Sequence, residues 1–288
     1  MHKHAWNALG TVLSITIWDD ISSGEFELLK SEIIQKTEDF ENTYSRFRAG
    51  SVVTDITDKT GIIEVPKDFI NILKIYQSLF KTSGGKFTPL IGGALEDAGY
   101  DKERTLIPKS RISKVPDFFD AVTIIDDTHI EKKFTCQFDF GAAGKGYLVD
   151  ILSDYLEKKG IKRFLTDGSG DVYYSGDGTH IKVGLEHPAD NTKVIGSIDM
   201  TSGAMCSSAT NKRKWAKYNH YIDPFTGESP TDIIAVWVLA SSTVIADAVS
   251  SVLFFAGPES IKEYDFEYCI LRSDYKIKHS EGFNAEFY

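Results

Sequence analysis

The chain has 288 residues, 42% of them hydrophobic, and a formal net charge of −10. That length can bury a sizeable core, and the acidic balance argues against a general nucleic-acid or anionic-membrane surface. Three scattered cysteines, Cys136, Cys206 and Cys269, show no metal-ligand spacing, and their odd number fits free thiols in a reducing compartment. No apolar run is long enough to span a bilayer and no export signal is legible, so the cytoplasm is the expected location; an exported chain trimmed of its signal would read the same way.

In chain order, Thr11–Trp18 is rich in β-branched residues and predicts a strand. From Ser23 to Phe40, Phe26, Leu29, Ile33 and Phe40 recur at helical spacing. A second helix is expected from Lys67 to Lys81, ended by Gly84-Gly85. Residues 88–116 are glycine-bearing, charged and irregular. Short strands near Ala121–Ile125 and His129–Phe138 lead into a glycine-rich turn and a third helix, Gly144 to Lys159, stopped at Gly160. Strands then dominate to about residue 240, with turns at Gly176–Gly178, Pro188–Asp190, Ser202-Gly203 and Pro224–Gly227. A last helix runs from Thr243 to Ala256 and closes at Gly257-Pro258. Helices and strands mix without a repeating βαβ rhythm, which predicts an α+β protein: one domain over residues 1–288, made of two interleaved lobes.

Several segments carry chemistry. In Asp139-Phe-Gly-Ala-Ala-Gly-Lys-Gly146 a strand passes through a glycine-rich turn into a helix, whose N-terminal N–H groups and Lys145 suit an anion. The spacing is neither a phosphate-binding Walker loop nor a dinucleotide fingerprint, and a helix entry without ligand reads the same way. Asp247 and Ser251, four apart in a strongly apolar helix, share a face and require buried partners. They are hard oxygen donors suited to Mg²⁺, or else they cap neighbouring loops. Thr166–Asp171 is a turn where backbone can approach a ligand, or a solvated β-turn. Cys206–Arg213 places hydroxyls before a basic end, which is a phosphate contact or a polar loop. His220-Tyr-Ile-Asp-Pro-Phe-Thr-Gly227 joins a histidine that titrates near neutral pH to a Pro–Gly turn. In an extended run His220 and Ile222 face one side, so both are expected to line a pocket while Asp223 anchors the turn.

With these segments in this order, the chain resembles the ApbE family, the FAD:protein FMN transferases, over nearly its whole length. The resemblance rests on Leu9-Gly10-Thr11, Ser45-Arg-Phe47 with Ser51, Gly84–Pro89, Asp139–Gly146, Gly170-Asp171, His220–Gly227 and Ala246–Ser251. It implies an active site between two lobes of a T-fold-like domain. It also implies Mg²⁺-dependent transfer of FMN from FAD to a Thr or Ser hydroxyl of a target flavoprotein, with release of AMP; Mn²⁺ is the alternative metal. By family correspondence Asp247, Ser251 and the Ala142 carbonyl bind the metal, and His220 is the general base. Leu9, Phe47, Lys86, Phe87, Thr88, Lys145 and Ile222 contact FAD, with Asp171 and Arg213 at the edge of that set.

The chain departs from the family pattern at several of these positions. Leu9 stands for Met, Phe47 for Tyr, Thr88 for Asp and Ser251 for Thr; Gly168-Ser169-Gly170 loosens a diglycine turn, and Cys206-Ser-Ser-Ala209 replaces Ala-Thr-Ser-Gly. The metal and base positions are intact, so activity is expected. The competing readings are an FAD pyrophosphatase that uses water as acceptor and a non-catalytic FAD-binding protein. The retained His220 and Asp247 weigh against the last, because a bare scaffold needs no base.

Overall fold

The computed structural model describes residues 1–211 and 213–288; Lys212, part of the basic end expected after Cys206, lies outside the described residues. The frame is an eight-stranded sheet in which every neighbouring pair is antiparallel. Across the sheet the strands are His2–Ala8, Thr11–Ile17, Phe164–Asp167, Asp171–Ser175, Ser202–Ala209, Ile233–Ala240, Phe266–Arg272 and Ile277–His279. An antiparallel sheet needs no βαβ crossover, which is why that rhythm is missing from the sequence.

Period-two alternation sends side chains to two different cores. From the central strands, Ala204, Cys206, Val236 and Val238 join a large core shared with the helices Ser23–Tyr44, Lys67–Thr82, Gly144–Lys158 and Thr243–Val252. Their neighbours Met205, Ala235 and Trp237 face a second core, covered by the small sheet of Ile181–Glu186, Val194–Met200 and Glu286–Phe287. All three cysteines are buried and free.

The expected helices are present, with shifted ends. The first runs one turn further, to Tyr44, because Thr37, Phe40 and Tyr44 all face the core. It starts at Ser22, whose hydroxyl accepts the Glu25 N–H at 3.2 Å. The second stops at Gly84-Gly85, where φ values of 63° and 85° let the Gly85 N–H return to the Phe80 carbonyl at 2.8 Å. The last ends at Val252 and continues to Phe255 only as tight turns.

Three expectations are corrected, the first being that residues 88–116 are irregular: they carry the short helix Gly92–Asp97. The strand expected to reach Phe138 ends at Lys132, whose wholly buried ammonium donates to the carbonyls of Ile56, Thr57 and Cys136 and folds the following chain back. The turn expected at Ser202-Gly203 falls at Thr201, and Ser202 opens a strand. The N-terminal His2–Ala8 was not foreseen as a strand. It has no β-branched residue and takes its conformation from full pairing with Thr11–Ile17.

Candidate active site

A cavity of about 480 Å³ opens where the ends of these elements meet, within the roughly 300–1,000 Å³ of small-molecule sites. Its walls include Leu9, Phe47, Thr88, Ala142, Lys145, Arg213, His220, Asp247 and Ser251. Each of these was expected from the sequence, and they come from segments far apart in the chain.

Local geometry explains each position. Leu9-Gly10 is the two-residue loop of the first hairpin, with φ of 53° and 70° as the right-handed twist of a hairpin demands. Leu9 thereby projects from a tight turn into the cavity, and its N–H is held by Glu41 Oε1 at 3.0 Å. Thr88 accepts the Leu90 N–H at 3.2 Å and starts the short turn Pro89–Ile91.

The helix Gly144–Lys158 begins at the cavity with no side-chain cap. The anion expected at its start is the protein's own: Asp247 Oδ2 accepts the Gly146 N–H at 2.9 Å. Glycine at 146 serves this helix contact rather than a ligand, since a Cβ there would stand 2.3 Å from the Thr243 carbonyl oxygen.

Charge is concentrated at this junction. Lys145 forms an ion pair with Asp171, and its Nζ lies 3.8 Å from Asp247 Oδ1. Burial raises the Asp247 carboxyl above its ordinary value, opposed by Lys145, the Gly146 N–H and Arg213. Burial depresses His220 to about 3, with Arg213 and Lys145 adding to the effect and a backbone hydrogen bond at Arg213 opposing it. The ring is therefore neutral at neutral pH, and its buried Nδ1 has no partner among the described residues. Tyr221 stacks on Phe254 with centroids 4.3 Å apart and, like His220, lines the cavity.

That arrangement corrects the expected alternation. Residues 220–223 are not a strand, so His220 and Tyr221 both reach the cavity. Ile222 packs away from it, in a small core with Leu95, Ala98, Trp215 and Tyr218. Asp223 does anchor the turn, accepting the N–H groups of Phe225 and Thr226 at 2.9 and 3.3 Å.

Three other expected flavin contacts also stand outside the lining. Lys86 Nζ pairs with Asp223 Oδ2 at 3.2 Å. Phe87 is buried against Tyr76, with ring centroids 4.6 Å apart and nearly parallel. Asp171 is 1% exposed and meets the cavity only through Lys145; its Oδ1 is buried without a partner.

The structure adds residues not singled out from the sequence, chiefly Tyr221 and Arg46. Buried Arg46 donates from Nε to Asp139 and from Nη2 to the Tyr100 carbonyl at 2.7 Å, and its guanidinium lies 4.1 Å from the Phe47 ring centroid. Asp139 in turn accepts the Gly141 N–H at 2.7 Å, so Arg46 fixes the shape of the loop that carries Ala142 and Lys145. The signal available was an arginine inside the Ser45-Arg-Phe47 segment; its acidic partner lies 93 residues away.

A metal fits this donor set in a limited way. Among the described residues no three His, Cys, Asp or Glu side chains group as a metal site. Asp247, Ser251 and Ala142 nevertheless share the cavity, and among the described residues Asp247 Oδ1 has only its long contact with Lys145 at 3.8 Å. One carboxylate with a hydroxyl and a carbonyl suits Mg²⁺, which keeps several waters or phosphate oxygens.

Residues 9–266 match the model of the ApbE family. The chain is 25% identical over 256 residues to the FAD:protein FMN transferase of Klebsiella pneumoniae, covering 81% of this chain and 77% of that one. Its fold superposes on the ApbE protein of Thermotoga maritima with a TM-score of 0.85 at 22% identity, covering 98% of this chain and 97% of that one. It also superposes on the flavin transferase ApbE of Vibrio cholerae with a TM-score of 0.79 at 19% identity, covering 98% of both.

Proposed function

Because the chain belongs to the ApbE family, we propose that it transfers the FMN moiety of FAD to a Thr or Ser hydroxyl of a target flavoprotein and releases AMP. The observation that carries this reading is the convergence of a neutral histidine, a hard-oxygen donor set and two cations, Lys145 and Arg213, on one cavity. The name borne by the Klebsiella relative supports it.

In this reading Asp247, Ser251 and the Ala142 carbonyl hold Mg²⁺, which when bound neutralises charge on the phosphates. Lys145 and Arg213 attract the pyrophosphate, while Leu9, Phe47 and Tyr221 provide apolar walls for the nucleotide. His220 accepts the proton of the incoming hydroxyl as the oxygen attacks phosphorus and the bond to AMP breaks. The base works only in its neutral form, which burial and the two cations favour. Bound pyrophosphate offsets those cations and so raises the proton affinity of His220 when a substrate is present.

The test is mass spectrometry of a threonine-bearing flavoprotein subunit incubated with the enzyme, FAD and MgCl₂. The expected result is one FMN added to that threonine, abolished by EDTA. His220→Ala should slow transfer by about 10²–10⁴, the usual worth of general-base help, while FAD still quenches on binding. Release of FMN and AMP without an adduct on any acceptor supplied would replace the reading with a pyrophosphatase. Bound FAD that is never cleaved would replace it with a carrier.

A further inference from the structure

Beside the cavity lies a second depression of about 470 Å³, lined in part by other residues of the same segments. In the short helix Gly92–Asp97, Leu95 lines the first cavity and Ala94 the second. In the segment that carries the histidine, His220 and Tyr221 line the first, while Tyr218 and Pro224–Glu228 line the second. A segment that lines this groove is thus the same one that carries His220.

The groove has the composition of a peptide site. Phe225, 69% exposed, stands at its edge, with Ile112 and Val115 beside it. Arg111, Lys114 and Lys217 add three exposed cations. Lys217 lies 3.6 Å from Glu228, but Arg111 and Lys114 have no ion-pair partner among the described residues. In a chain of net charge −10 such a cluster is a local reversal of sign. Fixed charges of one sign at a groove attract and orient a segment of the opposite sign.

We propose that this groove docks the acceptor protein by an acidic segment flanking the modified hydroxyl, with an apolar residue seated against Phe225. The proposal rests on the transferase reading and names the class of partner that reading leaves open. Selection of the acceptor is thereby separated from flavin binding, because the two depressions are lined by different residues.

The test uses two short fluorescein-labelled peptides, each with one central threonine and one leucine, with glutamates around the threonine in one and lysines in the other. The full-length protein should bind the glutamate peptide and not the lysine peptide, and raised salt should weaken binding. The double variant R111E/K114E should weaken the glutamate peptide by about tenfold, as expected for reversing two exposed charges. FAD affinity and the melting temperature should stay unchanged in that variant. Phe225→Ala, which leaves the charges in place, should weaken the same peptide.

Equal binding of the glutamate peptide by wild type and double variant would overturn the proposal. So would equally tight, R111E/K114E-sensitive binding of phosphatidylserine vesicles or a single-stranded oligonucleotide, which would mark a general anion surface. Self-association through the groove, seen as a dimer lost in R111E/K114E, would overturn it in favour of a second copy of this chain. Failure of wild type to bind FAD would instead count against the transferase reading, and the peptide result would still decide whether the groove is a docking site.

Discussion

At the scale of single residues, the cavity depends on side chains held away from their solution behaviour. His220 is depressed to about 3 by burial and by Arg213 and Lys145, whereas the unfolded chain binds its proton at about 6.5. Between those values the unfolded state holds more protons, so this residue's contribution to stability is complete above pH 6.5 and is lost as pH falls toward 3. Asp150 acts in the opposite sense. Burial raises its carboxyl to about 6, so its contribution is fully present below about 3.9 and declines as pH rises through 6. The two overlap, and a single pH curve would mix them. The expected outcome is that urea unfolding of His220→Asn loses less stability than wild type between pH 6.5 and pH 4, the difference isolating the histidine. Arg46 shows the complementary case, an enclosed arginine whose Nε and Nη2 are met by Asp139 and the Tyr100 carbonyl, while Nη1 has only the Glu96 carboxylate at 3.7 Å.

At the scale of elements, the helices Gly144–Lys158 and Thr243–Val252 act as one unit, fastened at both of their starts. Asp247 on the second accepts the Gly146 N–H of the first, and Asp150 on the first caps the second, accepting the Thr243 and Val244 N–H groups at 2.7 and 2.8 Å. Ser242, the residue placed to cap that helix, makes no such bond with its side chain. Asp150→Ala should therefore cost about 1–2 kcal/mol, the worth of an N-cap, measured as a lower urea midpoint at pH 5, below the raised value of this carboxyl. Gly146→Ala should do more. Its new methyl meets backbone at Thr243, which cannot yield as a side chain would, so a loss of about 3 kcal/mol is expected. Because Asp247 moves with that contact, the proposed metal site predicts that the same variant binds Mg²⁺ more weakly than wild type by isothermal titration calorimetry. Both helices were legible from their spacing; the reciprocal capping was not, since the partners lie about a hundred residues apart in the chain.

At the scale of the whole molecule, one sheet separates two large cores, and the site forms on the side that holds the helices, bordered there also by the small core of Leu95. Trp237, 2% exposed, belongs to the other core, between the main sheet and the small one. Trp237→Ala should cost about 3–5 kcal/mol in thermal or urea unfolding, and FAD affinity measured well below the new melting temperature should be unchanged. By itself the sequence determined the four long helices, the α+β class, the family resemblance and nine of the residues around the cavity. Those signals are local: helical period, glycine stops, and motifs whose members sit within a few residues of one another. Only the tertiary structure decided the strand order and the strand His2–Ala8, which depends on its partner for its conformation. It alone turned Ile222 and Phe87 into cores behind the cavity and brought Tyr221 and Arg46 to it. A side chain's direction at an irregular segment is set by what packs against it, and that packing comes from parts of the chain that no local pattern connects.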